Sequence, residues 1–207
     1  DEADEVRRLA PQAVIYVLDG ILDSTLLTSI SARPVLGNEA EARAWSRWCR
    51  TTGQRLSAAL HIDTGLNRLG ISAADVAALA VERGLLDSFD LALVMSHLAC
   101  ADDPDNAMNR RQLDTFAAAR AALPNAPASL AASDGLMLGR PYHFDMVRPG
   151  YAIYGGQAFR GGRAPVRARA SAPRRRLPGG GSRAASTTRA SRGASHPALH
   201  HESRRLR

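Results

Sequence analysis

A chain of 207 residues, 45% of them hydrophobic, is long enough for one full domain or slightly more around a sizeable core. Its net charge of +7 is unevenly placed: residues 1–156 hold 14 Arg against 19 acidic residues, whereas residues 157–207 hold 13 Arg against Glu202 alone. The first part is therefore mildly acidic and offers no nucleic-acid surface, and because no position is lysine the chain supplies no side-chain amine for Schiff-base chemistry.

Short apolar runs alternate with helical patterns along residues 1–156. Val14–Leu18 reads as a buried strand rich in β-branched residues, and Pro34–Leu36 as a shorter one. Asn38, with Glu41 three residues on, predicts a capped helix start, after which Trp45, Trp48, Cys49 and Thr52 share a face. Leu56–Ile62 reads as the next strand. Ser72 predicts a second helix with Val76, Leu79 and Ala80 inward and Gly84 at its end. Leu91–Met95 is another strand. Asn109 then opens a third helix carrying Leu113, Phe116, Ala117 and Leu123, stopped by Pro124. Ala128–Ala131 and Met146–Val147 are weaker strands.

Strands separated by helices imply parallel β/α units. About six of them fit in residues 1–156, where a closed (β/α)8 barrel has eight in about 250 residues. The predicted fold is therefore α/β: an incomplete (β/α)8 TIM barrel with its first strands missing. A doubly wound open sheet is the alternative, but no G-x-G-x-x-G or P-loop follows any strand. Residues 157–207 hold Arg, Ala, Ser, Gly and Pro with too few large apolar residues for burial, so a disordered, basic, low-complexity tail is expected there. His196, His200 and His201 read as part of that solvated tail rather than as a metal tract.

Cys49 and Cys100 have neither C-x-x-C nor metal spacing, and read as free thiols of a reducing, cytoplasmic compartment. No apolar run approaches the roughly 20 residues of a membrane span. The acidic start Asp1-Glu2-Ala3-Asp4-Glu5, without Met or a signal peptide, reads as the middle of a longer protein.

In a β/α barrel, chemistry sits at the C-terminal ends of the strands. Leu56–Leu60 runs into His61-Ile62-Asp63-Thr64-Gly65-Leu66-Asn67-Arg68, and Leu91–Met95 into Ser96-His97. Either histidine alone reads equally as a loop or structural residue; two at strand ends beside an Arg and a Gly turn point to a site. Asp63 is a candidate carboxylate, but a turn-stabilising residue before Thr64-Gly65 suits its place better. Ser133, before Asp134-Gly135, could bind phosphate at a strand-to-helix turn or be an ordinary N-cap. Arg148-Pro149-Gly150 places a cation and a close-approach glycine at another strand end, or forms a plain surface turn.

Three blocks in order and at matching spacing resemble the alanine racemase family: His61 to Gly70, Met95 to Asp102, and Phe144 to Gly155. The likeness covers roughly residues 1–156. It implies a pyridoxal 5'-phosphate enzyme that interconverts L- and D-alanine for peptidoglycan supply, homodimeric, acting on a small-molecule substrate, with no specific nucleic acid and no membrane. It implies that Arg68 bonds the cofactor's phenolic oxygen and helps hold the substrate carboxylate. His97 would lie near the cofactor ring and position a tyrosine, Arg148 would face the pyridine nitrogen, and Ser133 with the backbone of Gly150 and Tyr151 would grip the phosphate. His61 stands where many members carry a modified lysine, and would brace Arg68 by a hydrogen bond. Ala132 replaces an Asn usual in the family. The family's Schiff-base lysine and catalytic tyrosine are both missing, so the fragment is expected to be inactive alone.

Other racemases or decarboxylases of the same pyridoxal-phosphate fold type are the alternative within enzymes. A non-catalytic protein whose basic tail binds anions is the alternative outside them, although the tail has no aromatic interleaving. Its composition is that of GC-rich DNA read out of phase, so residues from about 157 onward are expected to be a frameshift product.

Overall fold

The computed structural model describes residues 2–82 and 84–156. All of them belong to the first of two units, Asp1–Ala170 and Ser171–Arg207. The expected basic tail, 157–207, lies outside the described residues.

Six short parallel strands carry the architecture. β1 (Tyr16–Val17), β2 (Arg33–Leu36), β3 (Ser57–Asp63), β5 (Asp90–Met95) and β6 (Ala128–Ser129) lie side by side in that order, and β4 (Ile71–Ser72) pairs with the end of β3. Every pairing is parallel, for example Val35 beside Ala59 and Val94 beside Ala128. A single bridge, Ala132 to Arg148, extends the order one position past β6. Counting that bridge and leaving out the small β4, six positions stand in the row where a closed (β/α)8 barrel has eight.

Helices fill the connections: α1 (Glu2–Leu9), α2 (Ser24–Ser29), α3 (Glu39–Thr52), α4 (Ala73–Val81), α5 (Ala107–Ala121) and the short α6 (Gly150–Ile153). α3 is delimited as its sequence requires. The Asn38 side chain accepts from the Glu41 N–H at 2.9 Å, and the Glu41 carboxylate reaches back to the Gly37 N–H at 2.7 Å. The reciprocal half of the predicted capping box is thus displaced by one residue. At the far end Gly53 takes a left-handed conformation, with its N–H on Arg50 O and the Gln54 N–H on Cys49 O. In α4 the Ser72 hydroxyl accepts from the Asp75 N–H, while Val76 and Leu79 are buried. The predicted third helix starts earlier than expected: Asn106, not Asn109, caps α5 by accepting from Met108 N–H.

The strand side chains alternate between two cores. Leu36, Leu60, Ile62 and Val94 pack with the helix residues Trp45, Leu79 and Phe116. Val35, Ala59, Leu93 and Met95 form a smaller cluster on the opposite, inner face, with Tyr16 against it. Val14–Leu18 yields only a two-residue strand because it stands at the edge of the row: Val14 and Leu18 are 59% and 63% exposed. Met146–Val147 forms no strand; pairing there shrinks to Arg148, since Pro149 has no N–H to continue a ladder. None of the described helices is long and apolar enough to cross a membrane.

Candidate functional site

The strand ends converge on the residues singled out above. His61 lies on β3, and the loop after it, carrying Arg68, is folded by Asp63, whose carboxylate accepts from the Gly65 N–H (2.9 Å) and the Asn67 N–H (3.1 Å). Asp63 is therefore a turn residue. Gly70 closes the loop at φ +114°, where a Cβ would lie 2.5 Å from the Asp63 backbone nitrogen. Only glycine lets the chain return so close to its own strand.

Arg148 is the fixed cation of the site. Its guanidinium donates to Ser129 O (2.9 Å), to the Ser129 hydroxyl and to Ser96 O, all uncharged oxygens, and its own N–H donates to Ala131 O at 2.9 Å. Burial pushes its pKa down to about 10, so it stays charged at neutral pH. That charge reaches the histidines. Burial, helped by Arg148, depresses His61 to about 4 and holds His97 below its ordinary value, leaving both rings neutral at pH 7.

Arg68, His97, Ser133, Arg148, Gly150 and Tyr151 line one cavity of about 440 Å³. A second cavity of about 530 Å³ shares Arg68, His97, Arg148 and Gly150, and adds His61, Leu18, Leu69, Met95 and Ile153. The structure thus gathers His61, Arg68, His97, Ser133, Arg148, Gly150 and Tyr151 around two cavities with common walls, and leaves Asp63 outside both. Three details differ from expectation. His61 and Arg68 share no hydrogen bond, so the expected brace between them is not formed; they meet only through charge. The Gly150 N–H is taken up by Arg148 O at 2.9 Å in a tight turn, and is not free to meet a ligand. Ser133 is buried and caps α6, its hydroxyl accepting from the Ala152 N–H at 3.0 Å, which leaves the hydroxyl proton to donate. The Tyr151 N–H lies in the first turn of α6, where a helix offers no acceptor of its own.

Sequence reading missed the layer beneath these residues. Gln112, on the buried face of α5, donates to Thr64 Oγ1 and to His97 O, each at 3.0 Å, and accepts from the Ala99 N–H at 2.8 Å. The Thr64 and Ser96 hydroxyls meet at 2.8 Å. The sequence carried no clear signal of it: of the buried positions of α5, Asn109 and Gln112 are polar and Phe116 and Ala119 apolar, so no apolar stripe marks the inward face. At the cavity's far wall Asp134 is held above the ordinary carboxylate range by burial and by nearby Asp102.

Known proteins similar to the chain all point to one family. The family model described as alanine racemase, N-terminal domain, matches residues 1–158. An alanine racemase of Methylobacterium nodulans is 45% identical over 157 residues, covering 75% of this chain and 42% of that protein. One of Rhizobium meliloti is 42% identical over 170 residues, covering 81% and 45%. The crystal structure of alanine racemase from Bartonella henselae with covalently bound pyridoxal phosphate superposes with a TM-score of 0.71 at 28% identity, covering 74% of this chain and 46% of that one. The chain spans less than half the length of the curated relatives it matches.

Proposed function

Because the chain belongs to the alanine racemase N-terminal domain family, we propose that its strand-end cavity is the cofactor- and substrate-binding half of a pyridoxal 5'-phosphate-dependent alanine racemase. The observation that carries this is Arg148: a half-buried guanidinium whose hydrogen bonds among the described residues all go to uncharged oxygens, at the wall of a cavity that also holds Arg68, His97 and Ser133. These residues fit the cofactor's chemistry. A dianionic phosphate suits the free proton of the Ser133 hydroxyl and the Tyr151 N–H, while a pyridine nitrogen suits the permanent donor Arg148.

When bound, pyridoxal phosphate supplies the electron sink for the pair left at Cα of alanine once its proton is removed. The chain's own residues bind and orient. Arg148 stays cationic and would disfavour a proton on a ring nitrogen set against it, so that return of the proton to Cα would be favoured over side reactions. Arg68 holds the alanine carboxylate through paired N–H donors. His97, neutral, lines the same cavity and would add no charge beside a bound ring. A lysine base for the Cα proton is absent from these 207 residues, which contain no lysine. The cytoplasm is the proposed location and a homodimer the proposed assembly, with residues 1–156 as the barrel part.

The test is titration of the purified chain with pyridoxine 5'-phosphate, which lacks the aldehyde and reports binding alone. Saturable binding weakened by Arg148→Met and by Ser133→Ala is expected. Binding equal in all three proteins would overturn the reading.

A further inference from the structure

Resting on that reading of the cavity, we propose that Gln112 is a positioning residue of the site: from the helix layer it fixes His97 and, through Thr64 and Ser96, the guanidinium of Arg148. Gln112 is fully buried. Its amide orientation is set by its neighbours, because the Ala99 N–H can only donate and His97 O can only accept. Both amide hydrogens are consumed, one on His97 O and one on Thr64 Oγ1, each at 3.0 Å. Thr64 opens the loop that carries Arg68, and its hydroxyl meets that of Ser96 at 2.8 Å. The Ser96 carbonyl in turn accepts from Arg148. One side chain on α5 therefore ties together the ends of β3 and β5 and the site's fixed cation.

The chemistry argues against a packing role. An apolar residue would fill this place at no desolvation cost, whereas a buried amide is tolerated only when its hydrogen bonds are made. Here they are made only when the β3 loop and the β5 loop take one relative arrangement. Gln112 thereby selects that arrangement, and with it the separation of Arg68, His97 and Arg148.

The experiment uses the whole 207-residue chain, pyridoxine 5'-phosphate as probe, and the variants Gln112→Met and Gln112→Glu, with affinity measured from pH 5 to pH 8 as a ratio to the parent. Gln112→Met, similar in volume but without amide bonds, should bind about tenfold more weakly at every pH. Gln112→Glu should approach the parent at low pH, where a protonated carboxyl still donates one bond and accepts another, and lose affinity as that carboxyl ionises. Parent-like affinity in the Met variant, or a Glu ratio that does not change with pH, would overturn the proposal; a residue needed only for packing would give no pH-dependent ratio. Should the Gln112 variants fail to fold, Thr64→Val cuts the same link, and parent-like binding by it would count against the role equally. Failure of the parent to bind the probe would sink the reading of the cavity instead. In that case the His97 ring signal in nuclear magnetic resonance decides the point: unchanged in Gln112→Met, it overturns the positioning role, and shifted, it upholds it.

Discussion

Arg148 stands in a row of strand ends with no ion-pair partner among the described residues, and its three oxygen acceptors keep it there. Arg148→Met strips the Ser96 carbonyl of that donor and should cost about 1–3 kcal/mol in chemical unfolding, besides weakening ligand binding. The same charge shapes the response to acid. His61 is depressed to about 4 in the folded state from an ordinary 6.5, by burial and Arg148. As pH falls below 6.5 the unfolded chain takes up a proton that the folded chain refuses, so stability drops until about pH 4. His61→Gln should flatten the loss across that window, on the order of 2–3 kcal/mol; an unchanged pH–stability curve would show that His61 is not depressed. The residues around the cavity were readable because charged and histidine side chains at strand ends stand out from the apolar runs before them. Gln112 was not readable, since one polar position in a helical stripe looks like any solvated residue until the fold shows which face is inward.

The loop between β3 and β4 is the element most exposed to single changes. Gly70→Ala would force a Cβ to within 2.5 Å of backbone while holding φ at +114°. It should destabilise the chain by more than about 1 kcal/mol and displace Arg68, read as lower probe affinity and a lower unfolding midpoint together. Asn38→Ala removes the cap of α3 and should cost about 1 kcal/mol without touching binding. Legibility followed burial and length. α3, with two capped ends and a wide apolar face, was evident, as were β3 and β5. α1 and α2 were not: α1 buries no residue, and α2 is a six-residue turn of Ser, Thr and Leu whose Asp23 cap accepts from Thr25 and Leu26. Asn106 and Asn109 compete as caps in one stretch, and only the structure shows the second turned inward, donating to Asp103 O.

At the scale of the whole chain, the parallel row ends on one side at a two-residue strand, with Leu18, Leu69 and Ile153 exposed around the larger cavity. Uncovered strand edges and apolar surface of this kind drive association, so the chain alone should self-associate as its concentration rises; a sample that stays monomeric at every concentration would contradict this. With no lysine in its 207 residues, it should form no D-alanine when supplied with pyridoxal phosphate and L-alanine; turnover in a preparation free of host racemase would refute that. The expected frameshift concerns residues outside the described ones, and the family match ends at residue 158, where the composition changes. Translating the two other forward frames downstream of the Gly156 codon should open an alternating strand pattern. Immediate stops in both would mean that the tail is genuine protein.

The cross-ties beneath the cavity also set a clock. The amide hydrogens of Gly65 and Asn67 are held by the Asp63 carboxylate, and that of Ala99 by Gln112. A surface loop ordinarily trades its amide hydrogens with solvent deuterium by local opening, well before the sheet does. The Ala99 hydrogen is released only when its bond to the Gln112 side chain opens. Its exchange should therefore run slower than that of an untied loop amide, and faster exchange in Gln112→Met would read how long the tie beneath the cavity lasts.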